Sequence, residues 1–209
     1  MVAERPEGPG GNGVSRASTV DLRARLLRAA EAEIAATGPA RASLRAIARR
    51  CGVSHQATAH HFADRAGLFT ALAVEGHQLQ TEETRTAIAS VPVDGGQQVA
   101  AAGAAYVVFS RNHAALFDLM YRPDLLRNDD PELVAARFAQ RDLMIDTIAA
   151  AQKTGWGTEV ATAELAALGF AAVHGLAVLD RDAIIAVVYP EVDIDSILRR
   201  VLHVLDGLA

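Results

Sequence analysis

The chain has 209 residues, 51% hydrophobic and 22% charged, which supplies enough apolar surface to bury a core in one domain or two small ones. Aromatics are only 5%, and no long stretch alternates Val, Ile and Thr, so a strand-rich fold is excluded and an all-α fold is expected. The net charge of −5 argues against uniform attraction to phosphates, but it hides an asymmetry: residues 16–65 hold nine arginines (16, 23, 25, 28, 41, 45, 49, 50, 65) against four acids (Asp21, Glu31, Glu33, Asp64), while from Ala66 onward ten Lys/Arg face nineteen Asp/Glu.

Residues 1–18 are rich in Gly and Pro with almost nothing apolar, and are expected to form a disordered arm. Asp21 is a plausible N-cap for a first helix carrying Leu22, Leu26, Ala29, Ala30 and Ile34 at helical spacing, stopped by Gly38-Pro39. Ser43 caps a second helix through Cys51, with Leu44, Ile47 and Ala48 inward and Arg45, Arg49 and Arg50 outward, and Gly52 ends it. Ser54 caps a short third helix, His55 to about His61, and Asp64 caps a fourth that runs through Leu79 to about Ala87.

After the Val91-Pro92 and Gly95-Gly96 break, only helical patterns follow. They cover about Gln97 to Ser110, His113 to Tyr121, Asp130-Pro131 to just before Gly155, Thr158 to about Asp180, and Ile194 to Leu208. No stretch reaches about 18 consecutive apolar residues, so no membrane span is expected, and the apolar segment Leu165 to Leu179 reads as a buried helix. The single cysteine, Cys51, forms no internal disulfide, and no secretory signal is visible, so a cytoplasmic location is expected.

Reading bases in duplex DNA requires an element thin enough for the major groove, and a helix braced by a second helix is a common solution. The brace needs a small residue where helices cross, a glycine at the turn and an apolar residue after it. Ala48, Gly52 and Val53 fill those places. The string SLRAIARRCGVSHQATAHHF followed by ADRAGLF, with Thr37-Gly38 upstream, resembles the N-terminal domain of the TetR family of regulators over roughly Asp21 to Leu79.

That resemblance implies a helix-turn-helix DNA-binding domain over residues 19–79, of three helices joined by a fourth to a larger helical domain over residues 80–209 that binds a ligand and dimerises. It places a phosphate contact at Ser43 and another at Arg65, and a recognition helix carrying His55, Gln56, Ala57 and His60 toward base edges or phosphates. Arg45, Ser54, Thr58 and His61 belong to the same expected surface. Gln56 is the best base reader by chemistry, because an amide pairs bidentately with adenine. Ala59 stands where the family usually has a phosphate-contacting tyrosine, and Thr58 where it usually has a leucine.

The segments AYVVFSRNHAALFDLMY and FAAVHGLAVL resemble the ligand-binding half of the subgroup named for its Trp-His-Gly motif; His174-Gly175 remain and the tryptophan position is unmatched. The resemblance implies a homodimer through the last two long helices, an operator of double-stranded DNA, and a small apolar or amphipathic effector that releases a repressor. Candidate pocket residues are Tyr106, Phe109, Phe117, Met120, Tyr121, Phe138, Met144, Trp156, Phe170 and His174, most of which are expected to be simply core.

Two rival readings use other residues. Cys51 beside Arg49 and Arg50 is a thiol that a redox sensor could use if it were exposed. A helical enzyme is disfavoured, since HExxH, CxxC, GxSxG, P-loop and GxGxxG patterns are all missing; no cofactor and no metal are expected.

Overall fold

The computed structural model describes residues 13–92 and 96–207, and the chain divides into two compact units between Leu68 and Phe69. The described residues contain ten α-helices and no strand. Residues 1–12 of the expected arm lie outside the described residues.

In the first unit, α1 (Gly13–Thr37) starts earlier than expected, so residues 13–18 are helical rather than part of an arm. Its inner side buries Leu26, Leu27, Ala30 and Ile34. Against it packs α2 (Leu44–Cys51), whose Ile47, Ala48 and Cys51 are buried. Polar contacts fix the pair: Arg25 Nη2 donates to the Cys51 carbonyl at 3.1 Å, and Arg50 donates to Glu33 Oε2 at 3.0 Å. Then come α3 (His55–Ala59) and the start of α4 (Arg65–Ala89).

In the second unit, the rest of α4 is followed by α5 (Gln97–Asn112), α6 (Ala114–Met120), a single 3₁₀ turn at Pro123–Leu125, α7 (Pro131–Gln152), α8 (Thr162–Arg181), α9 (Ile184–Val188) and α10 (Ile194–Gly207). The helix α8 packs on α5, α7, α9 and α10. Arg111 ties three of these helices together, reaching Asp180 at 2.6 Å and Asp195 at 2.9 Å. The division of the chain falls ahead of the expected boundary at Leu79 because α4 beyond Leu68 packs within this unit. Gly76 meets α6 so closely that a Cβ there would lie 2.7 Å from Met120 Sδ.

Three further features differ from the sequence reading. The helix α8 begins at Thr162 rather than Thr158, because Gly155 and Gly157 take positive φ of 97° and 67°, and Gln152 Nε2 donates to the carbonyls of Gly157 and Val160, holding that segment as a loop. The short helix α9 was not expected, and its Ile184, Val187 and Val188 are exposed. The helix α8 is not uniformly buried: Leu165, Val173, Leu176 and Ala177 face inward, whereas Leu168, Phe170 and Leu179 are over 40% exposed. By length and mean hydropathy (1.6) α8 passes as a membrane span, yet it packs here as one side of a helix bundle.

The close approach at Gly76 gives a direct test of α4 packing. Gly76→Ala should destabilise the chain by roughly 1–3 kcal/mol in urea melts. The same change in a Met120→Ala background should cost clearly less, because the clash partner is gone.

Candidate nucleic-acid interface and ligand cavity

A helix of five residues has little stability of its own, so α3 depends on its ends and its neighbour. At the preceding turn Gly52 adopts φ 72°, ψ 26°, and its N–H reaches the carbonyls of Ala48 and Arg49. Val53 N–H bonds to the Ala48 carbonyl at 3.0 Å, completing a C-cap that only glycine adopts at low cost. The Ser43 and Ser54 hydroxyls accept from Ala46 N–H (3.3 Å) and Ala57 N–H (3.1 Å), so both predicted caps form.

These constraints present one side of α3 to solvent. His55, Gln56 and His60 are exposed, and Ala57 and His61 are partly so. Thr58, expected on the outward surface, is fully buried and donates to the Ser54 carbonyl at 3.3 Å. It is turned into the unit and does not face outward. The helix ends at Ala59, with His60 as its C-cap, rather than continuing to His61. Phe62 is buried under the Arg23 guanidinium, 5.5 Å from the ring centroid.

The arginines divide into two groups. Arg65 Nη2 donates to the Pro39 and Ala40 carbonyls, closing the α1–α2 loop onto the start of α4. Arg41 Nε donates to the Thr37 carbonyl, and Arg25 and Arg50 bind α1–α2 as above. Arg45 and Arg49 are exposed, with no ion pair among the described residues. Cys51 is a free, buried thiol, which does not favour redox sensing.

The second unit holds a partly open cavity of about 450 Å³, within the range of small-molecule sites. Of the expected pocket residues, Tyr106, Tyr121, Met144, Trp156 and Phe170 line it. Phe109, Phe117 and Met120 do not: each is at most 1% exposed, and they fill the core, Met120 against Gly76. Phe138 is 49% exposed on the outer side of α7, beneath the Arg141 guanidinium at 4.5 Å. His174 stands behind the wall, stacked on Phe170 at 5.3 Å, with Nδ1 2.8 Å from the Tyr106 hydroxyl. Burial lowers its pKa first, and Arg181 does so further.

Sequence reading missed the polar liners, His77, Arg137, Gln140 and Arg141. The α7 spacing of Arg137, Gln140, Met144 and Ile148 places them on one helical side, and that periodicity was available in the sequence. His77 is 2% exposed, with Nδ1 3.0 Å from Gln140 Oε1. Burial pushes its pKa from 6.5 down to about 4, with Arg137 adding to the effect, so the ring is neutral near physiological pH. Burial raises the Tyr106 and Tyr121 hydroxyls, Tyr121 to about 12. At the other end Val99, Ile148, Ala151 and Leu165 form an apolar cluster with Met144 and Trp156 against it.

A capped reading helix on a braced turn, with an amphipathic cavity in the larger unit, defines a class of protein: a DNA-binding regulator with a ligand-binding half. Residues 26–72 match the model of the bacterial regulatory proteins of the TetR family, and residues 99–205 match a tetracyclin repressor-like C-terminal domain. The chain belongs to the TetR family and is a DNA-binding transcriptional regulator. Neither match carries the Trp-His-Gly subgroup. No curated protein matches the chain.

Among solved structures, a protein of unknown function from Rhodococcus sp. RHA1 is 29% identical with a TM-score of 0.78, covering 97% of each chain. The TetR family regulator PfmR from Thermus thermophilus is 13% identical with a TM-score of 0.69, over 88% of this chain and 97% of that one. The regulator FadR from Bacillus subtilis, solved in complex with stearoyl-CoA, is 12% identical with a TM-score of 0.69, over 89% of this chain and 98% of that one. The last two share the fold.

The depressed His77 pKa sets a pH dependence of stability. The unfolded chain binds this proton near pH 6.5 and the folded chain only near 4. The contribution of neutral His77 is therefore complete above about 6.5 and is lost as pH falls from 6.5 toward 4, by about 3 kcal/mol. The unfolding free energy from urea melts should fall as pH is lowered across that window, and His77→Asn should remove this component of its pH dependence.

Proposed function

We propose that this regulator reads a double-stranded operator through α3, acts as a repressor, and is released when a small apolar or amphipathic molecule occupies the cavity of its larger unit. The observation that carries the DNA reading is the orientation of α3: His55, Gln56 and His60 face solvent while Thr58 is turned into the unit. Gln56 supplies a bidentate amide for adenine. His55, Ala57, His60 and His61 line the approach to bases or nearby phosphates. Ser43, Ser54, Arg45 and Arg65 border it, the first two as exposed hydroxyls already placed by helix caps and Arg65 chiefly by holding the start of α4.

The cavity supports the effector reading, and linkage supplies the mechanism: a ligand that favours a conformation with poor operator affinity lowers DNA binding by its differential affinity for the two states. The exposed Leu168 and Leu179, which share one side of α8, support a homodimer formed through α8 and α10, since a second copy would bury them. Two recognition helices about 34 Å apart would then read two half-sites of the operator. Regulation of chromosomal DNA implies a cytoplasmic location. We read the protein as a non-enzymatic regulator.

Selection from a randomised duplex pool will supply the operator. Gln56→Ala should weaken operator binding by about 1–3 kcal/mol and relax preference at one base step. Arg45→Ala should weaken operator and random duplex alike and flatten the slope of log K against log salt by about 1. Equal losses on both duplexes for Gln56→Ala would show that α3 does not read bases.

A further inference from the structure

We infer that the cavity takes an amphipathic alcohol or phenol, whose hydroxyl docks between His77 and Tyr121 and whose apolar body extends along α7 toward Trp156. This rests on the reading of the cavity as the effector site and specifies what that site selects.

The cavity wall changes character along one helix. Arg137, Gln140 and Arg141 line one end, Met144 and Ile145 follow, and Ile148 lies against the apolar cluster at the other. From residue 137 to residue 148 the helix rises roughly 16 Å. An elongated molecule with one polar end matches that gradient, whereas a molecule polar at both ends leaves a polar group against Val99 and Leu165.

A chain of hydrogen bonds fixes what the polar end must be. Gln140 Nε2 donates to Gln80 Oε1, so the amide presents its Oε1 to His77, and His77 Nδ1 donates to it at 3.0 Å. A neutral imidazole with its proton on Nδ1 has a bare, accepting Nε2. That Nε2 is buried and has no partner, and the Tyr121 hydroxyl on the same wall is likewise buried without one. Tyr106 and Gln140 lie near the Tyr121 hydroxyl and act on it through their hydrogen-bonding groups, but neither contact reaches hydrogen-bond geometry. The Tyr106 hydroxyl is already engaged by His174. The two rings of His77 and Tyr121 stand edge to face, centroids 6.0 Å apart.

Buried polar atoms are rarely left unpaired, so two of them on one cavity wall mark a place where a ligand completes the set. One atom accepts only, and the other can donate. A single hydroxyl serves both, giving its proton to His77 Nε2 and accepting from Tyr121. A carboxylate has no proton for Nε2. An ether accepts only. An ammonium group would be buried unpaired near the Arg137 charge, which is costly. The neutral state of His77 agrees with an accepting Nε2.

The test uses the full-length protein and four probes with one common tail: n-decanol, decyl methyl ether, decanoate and decylamine, near neutral pH. Trp156 is the only tryptophan of the chain and lines the apolar end, so its fluorescence reports a bound tail, with equilibrium dialysis as an independent measure. The alcohol should bind saturably, and the other three should bind about tenfold or more weakly. Tyr121→Phe, which keeps the ring, and His77→Asn, which keeps a donor for Gln140 but no Nε2, should each bring the alcohol down toward the ether and leave the ether unchanged. Ether or decanoate binding as tightly as the alcohol, variants that keep the preference, or no binding of any probe would each overturn the assignment. Duplex affinity measured with saturating alcohol separates the two readings. Selective alcohol binding with unchanged duplex affinity upholds the head-group assignment and removes the effector mechanism.

Discussion

The left-handed turn at Gly52 is the constraint on which the DNA-facing surface depends. Five residues form too few internal hydrogen bonds to hold a helix alone, so α3 exists only because its entry, its first turn and its inner side are fixed from outside. Gly52 sets the entry by taking a φ that a side chain makes costly, and Ser54 satisfies the first turn. Thr58 is turned into the unit. A substituent at Gly52 would meet no neighbouring atom, so backbone conformation alone demands glycine there, not lack of room. The basic surround has a comparable division of labour. Arg23, Arg25, Arg50 and Arg65 spend charge on holding the unit together, which leaves fewer cations for phosphates than the charge island indicates.

The helix α4 takes part in both units, and its residues show two kinds of packing. Near its start, Arg65 is clamped to the carbonyls of the α1–α2 loop. Beyond Leu68, Gly76 lies against Met120, whose side chain would have to shift to admit a methyl, and the neighbouring His77 forms part of the cavity wall. A ligand that engages His77 therefore touches an element that also begins inside the DNA-binding unit. Linkage requires only that such a ligand favour one placement of this helix over another.

The parts of this molecule that were legible in its sequence are those governed by local chemistry. Ser43, Gly52 and Ser54 announce helix ends because caps and left-handed turns are specified by single residues, and those ends formed where expected. Thr58 was misplaced because five residues hold too little periodicity to say which side is inward. In the larger unit, apolar character could not separate cavity wall from core: Tyr106 and Trp156 line the cavity, whereas Phe109 and Phe117 are equally apolar and simply fill space. The pairing of His77 with Gln140, 63 positions apart, has no local signature at all. Nor did α8 disclose that only one of its sides is covered, because its sequence is apolar almost all round.

The polar end of the cavity also weighs stability against function. Leaving His77 Nε2 and the Tyr121 hydroxyl without partners costs about 1–3 kcal/mol each relative to satisfied groups. A core built only for stability would place aliphatic side chains there, as it does around Val99, Ile148 and Leu165. Elsewhere the larger unit is tied by the Arg111 pairs between α5, α8 and α10 and by the docking of Arg127 N–H on Thr70. A ligand that satisfies both atoms recovers the cost on binding and stabilises the form that binds it by mass action.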